Sequence, residues 1–272
     1  MCKVLNVARS SYYKSLCKKK SKREIENKNI ENQILEIYTA SKKCYGSPKI
    51  SIALKEFGTN ISLKRTQRIM RKLGIRSVIV KKYRPTSSKD KVVEKVNVIK
   101  RDFSTNTINE KWVTDITYIY TIKDGWCYLA SVMDLHTRKI IGHSMSKYMD
   151  TALALQAVKN ALELQRPTSN LILHSDLGTQ YTSLEFKEYI LNTKIITHSF
   201  SGKGCPYDNA CIESFHASLK KEEVYRVTYY DFNVAILAIF QYIESWYNRR
   251  RIHSSIGYIS TQKCEDLARM IS

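Results

Sequence analysis

The chain has 272 residues, 43% of them apolar, and a formal net charge of +20. That length allows two or three small domains with a sizeable core, and no run approaches the roughly 20 uninterrupted apolar residues that a membrane-spanning helix needs. Residues 1–100 carry 26 Lys+Arg against 7 Asp+Glu, whereas the remainder carries 19 against 18. The first third is therefore a field that attracts polyanions such as DNA, with a solubilising or membrane-surface patch as the competing reading of charge alone.

Residues 1–76 read as short helices. Ser10 is placed to cap a first segment running to about Cys17, and Ile25, Ile30, Ile34 and Tyr38 recur on one face of a second. In the stretch 47–58, Ser47 reads as N-cap, Pro48 as the first helical residue and Gly58 as a left-handed stop. Ser62 caps a further helix that ends at Gly74. In it Leu63, Thr66, Ile69, Met70 and Leu73 form the inward stripe and leave Lys64, Arg65, Gln67, Arg68, Arg71 and Lys72 outward. Two short helices joined by a tight turn, the second with a basic face, match a helix-turn-helix that binds duplex DNA, the plainer reading being an ordinary basic helical hairpin.

Residues 77–110 read as a basic linker. From Lys111 the pattern changes to W-V-T-D-I-T-Y-I-Y, G-W-C-Y-L-A-S-V-M-D-L and K-I-I-G-H-S-M-S, three β-branched and aromatic runs with Asp124-Gly125 and His136-Thr137-Arg138 as turns. A helix over Thr151–Leu164, the strand L-I-L-H-S-D, a helix near Ser183–Leu191 and a fifth strand at Ile195-Ile196 complete an α/β core with a mixed sheet. A polar loop, S-G-K-G-C-P-Y-D-N, leads to a helix through Glu213, and a last long helix runs from Asp231 to about Tyr247. Its Ala235, Leu237, Ile239, Phe240, Ile243 and Trp246 cover much of the circumference, which predicts burial.

Three carboxylates stand where a solvated one is unexpected. Asp115 interrupts the first strand, Asp176 closes L-I-L-H-S-D, and Glu213 lies on a helix behind the polar loop. Buried carboxylates need a cation or donors, and three that converge form an oxygen-only set suited to magnesium or manganese. Each, taken singly, is equally open to a turn-forming or capping role, as Asp134 in M-D-L illustrates. Among nearby acids, Asp208 is placed to cap the helix, and Glu222 and Glu223 lie more than two turns beyond Glu213. On the same face as Glu213 come His216, Ala217 and Lys220. Seven scattered cysteines without a C-x-x-C pair read as reduced thiols of a cytosolic chain, and with all six histidines at or beyond His136 no zinc site is expected. The first residues lack the succession of a secretory signal, so export is not expected.

From Lys111 to Tyr258 the chain closely resembles the B subunit of transposases of the insertion-sequence-three group, bacterial relatives of retroviral integrases. The matching segments are W-V-T-D-I-T-Y, V-M-D-L-x-x-R-K-I-I-G, H-S-D-L-G-T-Q-Y, K-G-x-P-Y-D-N-A-C-I-E-S-F and Y-N-x-R-R-I-H-S-S-I-G-Y; Y-G-S-P-K-I and R-I-M-R-K-L-G-I extend the likeness towards the N-terminus. The resemblance implies an α/β, ribonuclease-H-like mixed five-stranded sheet with flanking helices over 111–222, an all-α helix-turn-helix domain over 1–76 and a helical C-terminal extension over 223–272. It also implies catalysis by Asp115, Asp176 and Glu213, holding two Mg2+ (or Mn2+) ions. The expected reaction is cleavage at element ends followed by strand transfer from the released 3′-hydroxyl. Lys203, Lys220, Lys221 and Arg249, Arg250 and Arg251 are the candidates for phosphate contacts, Lys203 through its flanking glycines. Expected partners are double-stranded DNA, further copies of the chain on paired ends, and an A subunit or frameshift fusion; the expected location is the cytoplasm, at the nucleoid. Rival readings are a transposase-derived DNA-binding protein without activity and a ribonuclease-H-type nuclease without joining activity. Thirty-six residues separate Asp176 from Glu213, one more than is usual in that family, with the extra residue read between Asn192 and Thr197. Thr261 stands where the family usually has proline.

Overall fold

A computed structural model describes Val4 and residues 8–16, 21–78, 96–100, 102–202 and 206–271. The chain divides into two compact units, 1–78 and 79–272. Lys203 and half of the predicted linker, 79–95, lie outside the described residues.

In the first unit α1 spans Arg9–Leu16, α2 Lys22–Ala40, α3 Ser47–Glu56 and α4 Leu63–Lys72. Ser21 opens α2 with a capping box: its hydroxyl accepts the Glu24 N–H at 3.2 Å, and Glu24 Oε2 accepts the Ser21 N–H at 2.7 Å. Ile30, Ile34, Ile37 and Tyr38 from α2, Ile50 and Leu54 from α3, and Thr66, Ile69 and Met70 from α4 form the shared core. Gly58 has φ +79° in the turn between α3 and α4, a conformation glycine adopts without the Cβ penalty. Thr59 ties that turn to α2 by donating to Gln33 Oε1 at 2.9 Å.

Five expectations for this unit need correction. Ser10 lies inside α1, which starts at Arg9, and so does not cap it. Gly46, not Ser47, is the N-cap of α3, which places Pro48 one position further in. Ile25 is 51% exposed and Leu63 42% exposed, because each sits in the first turn of its helix, outside the three-helix contact. Arg65 is only partly outward, its side chain 30% exposed and paired with Glu26 at 2.9 Å; Lys72 pairs with Glu31 at 2.6 Å but keeps 70% exposure and stands outward as expected. Lys64, Gln67, Arg68 and Arg71 are exposed, as expected.

The second unit is built on β1 (Lys111–Thr121), β2 (Gly125–Asp134), β3 (Ile140–Ser146), β4 (Leu171–Ser175) and β5 (Ile196–Phe200). They form one mixed sheet in the order β3-β2-β1-β4-β5, antiparallel among the first three and parallel from β1 through β4 to β5. Alternation assigns the two faces. Trp112, Ala130, Val132, Ile141, Leu171 and Leu173 point to the face covered by α5 (Thr151–Gln165), α6 (Thr179–Thr182) and α7 (Leu184–Thr193), sharing a core with Leu153, Ala157, Val158, Ala161 and Phe186. A Cβ on Gly142 would stand 2.3 Å from the Ala157 carbonyl oxygen; the close approach of α5 to β3 therefore demands glycine. Val113, Asp115, Ser131 and His174 point to the other face, where α8 (Ala210–Glu222) packs.

After α8 come a short turn, α9 (Phe232–Gln241) and a π-helical turn, Tyr242–Tyr247, then the two-residue strands β6 (Ile252–His253) and β7 (Ile259–Ser260) and finally α10 (Thr261–Ile271). Burial along α9 is narrower than its composition suggests. Ala235 and Ile239 are buried and the stripe continues through Tyr242, Ile243 and Trp246, but Leu237 is 58% and Phe240 51% exposed, since a helix laid on one layer covers one stripe only. Thr261 begins α10 fully buried, its hydroxyl donating to the Asn248 carbonyl at 3.0 Å, and Glu265 anchors that helix by pairing with Lys139 and accepting from Gln165 Nε2 at 2.8 Å.

Candidate active site

Register brings the first two carboxylates together. In the parallel β1/β4 pair Val113 stands opposite His174; two residues further along the chain come Asp115, still in β1, and Asp176, one residue past the end of β4, close enough for the Asp115 charge to act on its carboxyl. Asp115 Oδ1 accepts the Ile116 N–H at 2.8 Å, and its Oδ2 lies 3.4 Å from His216 Nδ1. Asp176 Oδ1 accepts the Gly178 N–H at 3.0 Å. A Cβ on Gly178 would come within 2.9 Å of that oxygen, so a side chain there would press on the Asp176 carboxylate. Burial, and next the charge of Asp115, push the Asp176 carboxyl up from 3.8 to about 6.

Glu213 lies in the first turn of α8, exposed. With Asp115, Tyr118, His216, Ala217, Lys220, Lys221 and Tyr225 it lines a cleft of about 330 Å3. The residues three, four and seven places after Glu213 thus share its cleft, as their helical spacing predicts. Asp115 is the common member: it faces Asp176 on one side and shares the cleft with Glu213 on the other. Among the described residues no three His, Cys, Asp or Glu side chains stand close enough to form a ready ligand set.

Two of the acidic alternatives to Glu213, Asp208 and Glu222, are engaged elsewhere. Asp208 does not cap α8 but sits in the 3-10 turn Pro206–Asn209, where Oδ2 accepts Asn97 Nδ2 at 2.9 Å and the Gly202 N–H at 2.8 Å; Asn209 is the N-cap. Glu222 accepts from Arg251 Nη2 and Nε at 2.9–3.1 Å, from Tyr242 Oη at 3.0 Å and from Trp246 Nε1 at 3.1 Å. Arg251, expected at phosphates, is thereby held inside the fold, with its guanidinium raised by the Glu222 charge against the opposing effect of burial; Arg249 and Arg250 are exposed. Lys220 Nζ stands 3.7 Å from the centroid of the Tyr118 ring. His216 also reaches Ser131 Oγ at 3.4 Å. Sequence reasoning named His216 only as a neighbour of Glu213, because the pairing of Asp115 with Ser131 that brings it to the site is a sheet contact.

Models of an integrase core domain match residues 106–206 and 194–260, and a model of an HTH-like domain matches 24–83. The chain is 36% identical over 270 residues to the transposase InsF for insertion sequence IS3A of Escherichia coli (strain K12), covering 98% of this chain and 93% of that one. It is 34% identical to a 31 kDa protein of insertion element IS600 of Shigella sonnei, over 96% of this chain and 95% of that one. Solved structures similar to it include the HTLV-2 integrase catalytic core domain in complex with magnesium (16% identity, 58% of this chain and 97% of that one, TM-score 0.42) and the catalytic domain of a mariner transposase (14%, 50% and 70%, TM-score 0.42). With an HTH-like domain matched ahead of an integrase core and 36% identity across 98% of its length to an insertion-sequence-three transposase, the chain belongs to the insertion-sequence-three family of transposases.

Proposed function

We propose that Asp115, Asp176 and Glu213 are the metal-binding carboxylates with which this transposase cuts element ends and joins the released 3′-hydroxyl to target DNA. The observation that carries the reading is the pair Asp115 and Asp176, one in β1 and the other just past the end of β4, with one backbone N–H donated to Asp176 and its acidity weakened by burial and next by the Asp115 charge. Such a pair is relieved by a cation, and its all-oxygen donors fit Mg2+, with Mn2+ as substitute. Asp115, Asp176 and Glu213 would hold the divalent ions, which would supply activation of the attacking water or hydroxyl and offset charge on the leaving oxygen.

The other residues bind and orient. Lys220 and Lys221 line the cleft beside the carboxylates and hold the phosphates flanking the scissile bond. His216 steadies the Asp115 carboxylate from α8 and is in turn held by Ser131. Lys64, Gln67, Arg68 and Arg71 on α4 meet duplex DNA and deliver the element end, with the basic excess of residues 1–100 supplying affinity through counterion release. The enzyme works as a multimer on paired ends, with an A subunit or as a frameshift fusion, at the nucleoid; no helix among the described residues is long and apolar enough to cross a membrane.

Incubating the full-length protein with labelled element-end duplex and Mg2+ tests the assignment. The expected products are a 3′-nicked end and joined strands, both absent in chelator and in Glu213→Gln protein. Full cleavage by that variant overturns the third ligand, and cleavage without joining points to a nuclease.

A further inference from the structure

The face of the sheet that α5 covers is not covered along its whole length. Ile116 and Tyr128 still pack partly against the α5 core, but beyond them Tyr118, Tyr120 and Trp126 are 46%, 53% and 53% exposed. These three occupy neighbouring positions of the antiparallel β1/β2 pair, with Tyr120 opposite Trp126 and Tyr118 diagonal to it. Trp126 meets Tyr118 at 5.1 Å and Tyr120 at 5.2 Å between ring centroids, both edge-to-face. That packing fixes the rings without covering them, at no expense in rotamer freedom when something lands on them.

The patch adjoins the cleft. β4 pairs with β1 only as far as Val113, so the strand edge beyond Asp115 is left to α8, and Lys220 from α8 places its ammonium over the Tyr118 ring. Tyr118 therefore belongs at once to the aromatic patch and to the cleft that holds Asp115 and Glu213. Along the strand it lies about 10 Å from Asp115, at roughly 3.3 Å per residue. That distance is on the scale of one or two nucleotides. Aromatic rings beside a lysine, next to carboxylates that process a phosphodiester, match what an unpaired nucleic-acid strand requires: π-faces for bases and cations for the backbone.

We propose that Tyr118, Tyr120 and Trp126 form a stacking platform for unpaired bases of the DNA strand that enters the carboxylate cleft. The proposal rests on the metal-dependent DNA chemistry assigned above and adds to it a base-stacking subsite. Charge favours DNA over a second copy of the chain as occupant, because Lys220 and Lys221 extend the patch towards the cleft.

Trp126 supplies its own reporter. The chain has three tryptophans; Trp112 is fully buried and Trp246 is 7% exposed, so quenching by an added strand reads Trp126. Single-stranded oligothymidine titrated into the full-length protein in chelator is expected to quench tryptophan emission, and Trp126→Phe to abolish that signal. The double variant Tyr118→Ala, Tyr120→Ala is expected to bind oligothymidine about 10-fold more weakly, as the loss of a stacked base implies, while a blunt duplex, followed by anisotropy, binds within about two-fold of the parent. All three side chains are exposed, and near-parent urea midpoints establish that the variants fold. Absence of quenching overturns the platform, as does an equal loss of duplex affinity. Unchanged oligothymidine affinity combined with altered sedimentation assigns the face to contacts between copies instead. Since the titration needs no cleavage, a failed Glu213→Gln test bears on the carboxylates alone, and a failed titration leaves the cleavage reading standing.

Discussion

The end of β2 and the end of β4 each carry an aspartate behind a run of apolar residues, and the two are used in opposite ways. Asp134, 2% exposed, meets three donors: the Thr137 N–H at 2.8 Å, the Thr137 hydroxyl at 3.0 Å and the Asn109 N–H at 2.8 Å. Burial pushes its carboxyl up, and those donors pull it back. Asp176 meets the single N–H of Gly178 and faces Asp115 across the strand gap. Polar partners supplied by the fold make a carboxylate a structural clasp; partners withheld make it a place for a cation.

The sharpest way to break this comparison is to make both residues asparagine. Asp176→Asn is expected to lower Mg2+-dependent cleavage by about 10^3-fold or more, several kcal/mol of lost transition-state stabilisation, with DNA affinity by gel shift close to the parent. Near-parent cleavage removes Asp176 from the site. Next in size is the pair that shows the clasp in its extreme form: Arg251→Leu leaves Glu222 buried without its cation, which costs about 3–5 kcal/mol in urea unfolding. A small loss there, with weakened DNA binding, returns Arg251 to the phosphates. Asp134→Asn, by contrast, leaves one N–H facing an amide that cannot accept, at about 1–3 kcal/mol of stability. Its cleavage rate per folded molecule is expected to match the parent.

Metal-free protein gives the comparison a pH signature. The unfolded chain releases the Asp176 proton near 3.8 and the folded one near 6, so between those values the folded state binds more protons and its stability falls as pH rises. Above about 6 the cost is complete. Asp176→Asn is expected to flatten that stretch and raise the urea midpoint at pH 7 in chelator, the reverse of its effect on cleavage. A midpoint unchanged by the substitution between pH 4 and 7 contradicts the raised Asp176 carboxyl.

The same distinction, in its weakest form, divides the basic residues of α4. Arg68→Ala or Arg71→Ala is expected to lower the slope of log affinity against log salt by about 1. Arg65→Ala and Lys72→Ala, whose cations are already paired with Glu26 and Glu31, change it less. Equal slopes for all four erase the distinction.

What was legible in the sequence was whatever depends on neighbours along the chain. The Ser62 cap, the Gly58 stop, the Asp124-Gly125 hairpin and the alternation of β1 and β2 are local, and the structure has them. Arg65 was read as outward and Arg251 as a phosphate contact because their partners, Glu26 and Glu222, are 39 and 29 residues away. Asp208 was read as a cap because its donors, Asn97 and Gly202, lie in segments whose return to that turn nothing local announces. Leu237 and Phe240 were read as buried because apolar periodicity reports how many faces a helix could cover, not how many neighbours it meets. For the site, the type and approximate placement of the carboxylates were readable; their facing pair depends on the β1/β4 register, which pairs residues 61 positions apart.

That register also divides the chain into stretches where length is fixed and stretches where it is negotiable. One residue inserted between Val113 and Asp115 would turn the carboxylate to the α5 face and leave every hydrogen bond of the ladder available to be remade, so the protein could fold and still lose its facing pair. Between α7 and β5 the chain passes through Lys194 with φ 60°, in a turn that an added residue can lengthen before the ladder resumes at Ile196. The extra residue that separates Asp176 from Glu213 was read at this turn. Homologous chains can therefore drift in length here while their chemistry stays in place, whereas from Lys111 to Asp115 and from Leu171 to Asp176 even a single deletion would be lethal to the element that carries it.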